Sequence, residues 1–221
     1  MEKSEFIRLT SASREAQEKL TIYETMLIEW NQKFNLIAPS TVEHIWSRHF
    51  LDSAQLMPIL PQDQNQKVLF DLGSGAGFPG LVLSVMGVSN VNLVESTGKK
   101  ADFLRAVAEK LELDVTVHQC RIEDLKGSKA DIITARALAP LGDLLSLAQN
   151  LVKKDSLLLF LKGQKVDVEL TESRKYWMFD CIKTKSLSDP SGSILAIRNL
   201  KISLAGQALA RRAPKRHKNQ G

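Results

Sequence analysis

The chain has no run of 18 apolar residues, so no segment of the sequence is suited to crossing a membrane as a helix. It has only two cysteines, Cys120 and Cys181, far apart and outside any C-x-x-C spacing. That excludes a disulfide framework and a cysteine-based zinc site, and it fits a reducing, cytoplasmic setting. The four histidines (His44, His49, His118 and His217) lack metal-ligand spacing, so no metal is expected. The opening Met1-Glu2-Lys3-Ser4-Glu5 is charged and has no signal-peptide core. There is no internal repeat. Acid is absent from residues 205–221, which hold Arg211, Arg212, Lys215, Arg216 and Lys218. The net charge of +5 therefore belongs to that segment, and residues 1–204 carry 25 charges of each sign. A nucleic-acid surface on the body has to come from local clustering rather than bulk charge.

What is present suffices for one full-sized domain with a helical appendage: 221 residues, 43% of them hydrophobic. Residues 1–65 read as a helical extension. Leu20, Tyr23, Leu27, Trp30 and Phe34 recur at helical spacing as one apolar stripe, which should end near Asn35 because Pro39 follows. A second helix is expected from about Val42 to Leu56, followed by a polar linker at 61–66. From Lys67 the pattern alternates. Strands are expected at 68–72, 91–95, 115–118, 131–135 and 157–161, with helices at 79–86, 98–111 and 141–151. Extended segments at 177–185 and 193–200 flank Asp189-Pro190-Ser191-Gly192, which is turn chemistry for a closing hairpin. The reading is α/β: a Rossmann-like, mostly parallel seven-stranded sheet over residues 66–203. Residues 204–221 read as a basic, disordered tail, either a plain solvated end or a tether for RNA that does not choose the nucleotide.

The most informative stretch is Phe70-Asp71-Leu72-Gly73-Ser74-Gly75-Ala76-Gly77-Phe78. A strand runs into alternate glycines that let a ligand lie against bare backbone, and Glu95 closes the next strand, where an acid can take both hydroxyls of a ribose. The dinucleotide fingerprint would need glycine at position 78, which is Phe, so a nicotinamide dehydrogenase is disfavoured. The D-x-G-x-G-x-G spacing is that of class I methyltransferases using S-adenosylmethionine. Asp71 is a carboxylate suited to the ammonium of the methionine part.

Further motifs carry a resemblance. They are Trp30-Asn31-Gln32-Lys33-Phe34-Asn35-Leu36, Arg48-His49-Phe50-Leu51-Asp52-Ser53, Phe78-Pro79-Gly80, Glu95-Ser96 with Lys99-Lys100, Thr134-Ala135-Arg136-Ala137, and Lys162-Gly163. Together they resemble the RsmG (GidB) family of bacterial 16S rRNA guanine-N7 methyltransferases, from about Trp30 to Asn199. The resemblance implies a class I fold, S-adenosylmethionine as co-substrate, and N7 of a guanine in the 530 loop, conventionally numbered 527, as target. It also implies 16S rRNA or the small ribosomal subunit as partner; nothing in the sequence demands a dimer, so a monomer is expected. Glu95 stands where the family often has Asp, and Lys100 where it often has Arg.

On that resemblance the cofactor residues are Gly73, Gly75, Phe78, Glu95, Ile122, Glu123 and Arg136. Arg48, Lys99, Lys100 and Lys162 are expected at the RNA. For Phe78 a place in the core remains the alternative, and for Arg48 and His49 an anchoring role. Guanine N7 bears a lone pair and no proton, so no general base is assigned. Arg136 is the positioning candidate, toward the cofactor carboxylate, a phosphate or the O6 edge of guanine. A methyltransferase for protein or small molecules, and an RNA-binding protein without catalysis, are the other readings.

Overall fold

The computed structural model describes residues 3–125 and 127–212. Two helices lead, α1 (Lys3–Thr10) and α2 (Arg14–Phe34). Ser13 caps α2 by accepting from the Ala16 N–H, and Asn35 ends it in a left-handed conformation. The regular helix expected at 42–56 is instead three short pieces: a 3-10 turn (Pro39–His44), a π-helical turn (Trp46–Leu51) and α3 (Asp52–Ala54). Wide π turns of this kind are often found at functional sites.

The alternating region then builds β1 (Leu69–Leu72), α4 (Gly80–Val85), β2 (Val91–Val94), α5 (Gly98–Lys110), β3 (Val115–His118), β4 (Ala130–Arg136), α6 (Leu141–Ala148) and β5 (Val152–Lys162). After α7 (Val166–Ser173), which the sequence reading missed, come β6 (Trp177–Lys185), β7 (Ser193–Ile202) and α8 (Leu204–Arg212). The sheet order is β3-β2-β1-β4-β5-β7-β6. The first five strands pair in parallel, and β7 is antiparallel to both β5 and β6. The switch in strand order lies between β1 and β4, where ligands bind at the carboxyl ends of such sheets.

Side chains alternate between two cores. Leu69, Leu93, Ile132 and Leu159 join one apolar cluster, while Phe70, Val94, Ile133 and Phe160 join the other. The first cluster also takes Phe6, Leu20, Tyr23, Leu27, Trp46 and Phe50. The helices expected as an extension thus share a core with one face of the sheet. The tail expected from 204 is helical to Arg212, with Gly206 against the Tyr176 backbone, and residues 213–221 lie outside the described residues.

Candidate functional site

The glycine turn after β1 is built on left-handed backbone, with φ of +66° at Gly73, +56° at Gly75 and +97° at Gly77. Tyr23 of α2 donates its hydroxyl proton to the Ala76 carbonyl. A Cβ at Gly77 would collide with that hydroxyl and with Leu81. The N-terminal helices therefore brace the turn from beneath. In the sequence Tyr23 is one more member of an apolar stripe, and only its phenolic oxygen hints at this second task.

Asp71, expected from sequence to be available to a cofactor ammonium, does not border the cavity above the turn. It is fully buried: Oδ1 accepts from the Thr134 hydroxyl at 2.7 Å and Oδ2 from the Gly80 N–H at 3.2 Å. It ties β1 to β4 and to the start of α4. Phe78 is likewise a packing residue, only 3% exposed. Its ring stacks on His49 (centroids 4.9 Å) and Tyr23 (5.7 Å), with the Arg136 guanidinium 4.6 Å from its centroid. Any part it takes in holding a cofactor falls to its backbone.

A cavity of about 400 Å³ opens above the turn, bordered by Gly73, Gly75, Glu95, Lys100, Ile122 and Glu123, with Arg136, Ala137 and Leu138 as its far wall. Glu95 is buried at the tip of β2. Its Oε2 accepts from the Gly75 N–H at 3.0 Å and its Oε1 from the Thr97 N–H at 2.7 Å, so the carboxylate is fixed in place. Each oxygen retains lone pairs for a further donor. Ile122 and Glu123 sit in a 3-10 turn after β3. Of the paired lysines, Lys100 borders this cavity, whereas the Lys99 ammonium lies over the Phe34 ring at 5.2 Å.

A second cavity, of about 510 Å³, lies on the other side of Arg136 and Ala137. Arg48, His49, Asp52, Lys162 and the 186–193 turn border it. Three of its cations are paired. Arg136 donates from Nη1 to Asp52 Oδ2 (3.2 Å) and to the Arg48 carbonyl (3.1 Å), and Arg48 pairs with Asp189 Oδ2 (3.1 Å). Lys162 is nearly buried, bonded to Glu169 Oε2 (2.6 Å) and to the Ala139 carbonyl (2.8 Å). Its ammonium is thus largely engaged in joining β5, α7 and the start of α6. Asp52 is also bonded by Ser188 and Gln55, which pins the β6–β7 turn over the cavity. The sequence placed Asp52 inside a motif without a task.

Burial, with Arg136 and Arg48 close by, pushes His49 from 6.5 down to about 3. The unfolded chain then binds a proton more tightly than the folded one between those values, so stability falls as pH drops through that window. Asp71 works the other way, since burial raises its carboxyl from 3.8 to about 6 and acid favours the folded form there. His49→Phe should therefore flatten the decline of the thermal midpoint between about pH 6.5 and 4.5. An equal slope in variant and wild type would contradict a neutral buried imidazole.

The GidB family pattern, described as rRNA small subunit methyltransferase G, matches residues 16–198. The chain is 46% identical over 196 residues to the ribosomal RNA small subunit methyltransferase G of Paramagnetospirillum magneticum, covering 89% of this chain and 95% of the relative. It is 44% identical over 199 residues to the protein of the same name from Caulobacter vibrioides, covering 88% and 90%. Among solved structures it resembles the magnesium protoporphyrin IX methyltransferase of Synechocystis with bound S-adenosylmethionine, at a TM-score of 0.56 and 14% identity over 80% of this chain and 97% of the other. A MtNAS variant in complex with S-adenosylmethionine gives 0.58 at 15% identity, covering 90% and 84%. These two likenesses establish the fold.

Proposed function

Because this chain belongs to the GidB family, rRNA small subunit methyltransferase G, we propose that it methylates N7 of one guanine in 16S rRNA, at the conventional position 527 in the 530 loop, using S-adenosylmethionine. The observation that carries this reading is the single wall, Arg136 and Ala137, shared by the two cavities. A methyl donor on one side and a base on the other would meet there.

The residues above the glycine turn fit the co-substrate. Gly73 and Gly75 offer backbone to the methionine part, the fixed Glu95 carboxylate suits the ribose hydroxyls, and Ile122 with Glu123 border the space for adenine. S-adenosylmethionine, when bound, supplies an electrophilic methyl on a sulfonium. The chain's task is then alignment and water exclusion, since N7 brings its own lone pair. Methylation places positive charge on the base. A guanidinium at the base edge would oppose that charge, so the fork of Arg136 is assigned to an anion, either the cofactor carboxylate or the target phosphate. Its Nη2 and Nε make no hydrogen bond among the described residues and remain for that purpose. Arg48 and Lys100 sit at the cavity rims as further phosphate contacts. No helix among the described residues is long and apolar enough to cross a membrane, and the proposed setting is a cytoplasmic monomer acting on the small ribosomal subunit.

Glu95→Ala tests the cofactor half. Titration calorimetry should show S-adenosylmethionine affinity lowered by about 1–3 kcal/mol, from lost charge-assisted bonds to the ribose and a loosened turn. Unchanged affinity would remove Glu95 from the site.

A further inference from the structure

We propose that His49 reads the target guanine, its Nδ1 accepting a hydrogen bond from the Watson–Crick edge of the base (N1–H or the 2-amino group). This rests on the guanine-N7 reading above.

Among the described residues, His49 Nδ1 is the one buried side-chain nitrogen or oxygen without a hydrogen-bond partner. The residue is 8% exposed and borders the 510 Å³ cavity. Nδ1 itself is closed to solvent, so a base reaches it only once a side chain bordering the cavity gives way. Buried polar groups are nearly always paired, and an orphan on a residue that borders a substrate-sized cavity points to a partner supplied by the ligand. Its tautomer follows from two contacts. The Thr41 hydroxyl lies 2.8 Å from the Ala38 carbonyl, which can only accept, and 2.9 Å from His49 Nε2. Both contacts are hydrogen bonds only if Thr41 donates to Ala38 and His49 Nε2 carries the proton. Nδ1 is then bare and can only accept. The near-parallel stack on Phe78, at 13°, fixes the ring plane. Burial and the flanking arginines keep the imidazole neutral, so Nδ1 remains an acceptor at neutral pH.

Guanine supplies the matching donors. Its Watson–Crick edge carries N1–H and the 2-amino group, whereas adenine presents an unprotonated N1. As N7 takes the methyl, the base becomes cationic and those N–H groups become more acidic, so the bond to Nδ1 strengthens on the way to the transition state. The acceptor should therefore act on kcat more than on KM.

The test uses single-turnover methylation of small subunits whose 16S rRNA carries, by ligation, guanosine, inosine (no 2-amino group) or 1-deazaguanosine (no N1–H) at the target. Wild type, His49→Asn and His49→Gln are compared. The Asn amide can place an acceptor near the Nδ1 position; the Gln amide reaches toward Thr41 and leaves the Nδ1 position empty. With wild type, one of the two analogues should react about tenfold more slowly than guanosine, about 1.4 kcal/mol. His49→Gln should lose that discrimination through a lower kcat on guanosine, and His49→Asn should restore part of it. A merely structural histidine would slow all three substrates by one factor. Equal discrimination in wild type and His49→Gln, or none in wild type, overturns the proposal. Failure of wild type to methylate the guanosine substrate would instead overturn the guanine-N7 reading itself.

Discussion

Gly73→Val is expected to abolish S-adenosylmethionine binding, with a dissociation constant raised a hundredfold or more. Two effects add. The backbone at Gly73 has φ +66°, which a β-branched residue adopts only at a cost of roughly 1–3 kcal/mol. A Cβ there would also lie 2.5 Å from Leu138 Cδ1 and 3.1 Å from Cδ2, and Leu138 borders the 400 Å³ cavity proposed for the cofactor. The leucine has to move, and the new side chain takes space proposed for the methionine part. Gly75→Ala is the matched control. Its φ is +56°, but nothing lies closer than 3.8 Å to the added carbon, so it should show backbone strain alone and a loss nearer tenfold. Calorimetry on folded protein distinguishes the cases. Normal affinity in Gly73→Val would remove the turn from the cofactor site.

Arg136→Ala should lower kcat/KM for ribosomal substrate by a hundredfold or more, about 2.7 kcal/mol or greater. The guanidinium joins the two cavities, holds Asp52 and the Arg48 carbonyl, and covers Phe78. Arg136 and Asp52 are each 17% exposed in their side chains, so truncation leaves a poorly solvated carboxylate. Ser188 and Gln55 still bond Asp52, which should limit the stability loss to about 1–3 kcal/mol. Arg136→Lys keeps the charge without the fork and should recover only part of the rate. If both variants turned over normally while remaining folded, Arg136 would be a sheet cap and nothing more.

Much of the fold is legible because its signals are local. Apolar runs at 68–72 and 91–95, punctuated by glycine and proline, leave few options for β1, α4 and β2, and Asp189-Pro190-Ser191-Gly192 forces the β6–β7 reversal. The irregular 39–54 segment was not legible, since its 3-10 and π turns follow from packing Trp46, Phe50 and Leu51 under the sheet rather than from propensity. The same holds in the site. Glu95 and Gly73 border the cavity, where their spacing puts them. Asp71 and Phe78 share the motif but point inward, because the sheet and α4 close over them. Spacing alone does not say which side of a turn a residue faces. Sequence assigns Arg48 and Lys162 to RNA and Arg136 to cofactor or substrate, with anchoring open for Arg48, but it does not name their partners. Each meets an acid from a distant segment: Asp189 for Arg48, Asp52 for Arg136 and Glu169 for Lys162.

The activity proposed for this chain is transfer of one methyl group to N7 of a guanine in the small-subunit rRNA. The most direct measurement incubates the purified protein with S-adenosylmethionine and small subunits lacking the modification, then maps N7-methylguanosine by borohydride–aniline cleavage. One new cleavage, at the 530-loop guanine and dependent on both protein and cofactor, is the predicted result. Cleavage at another site, or methyl label recovered only in protein or in another RNA, would contradict it.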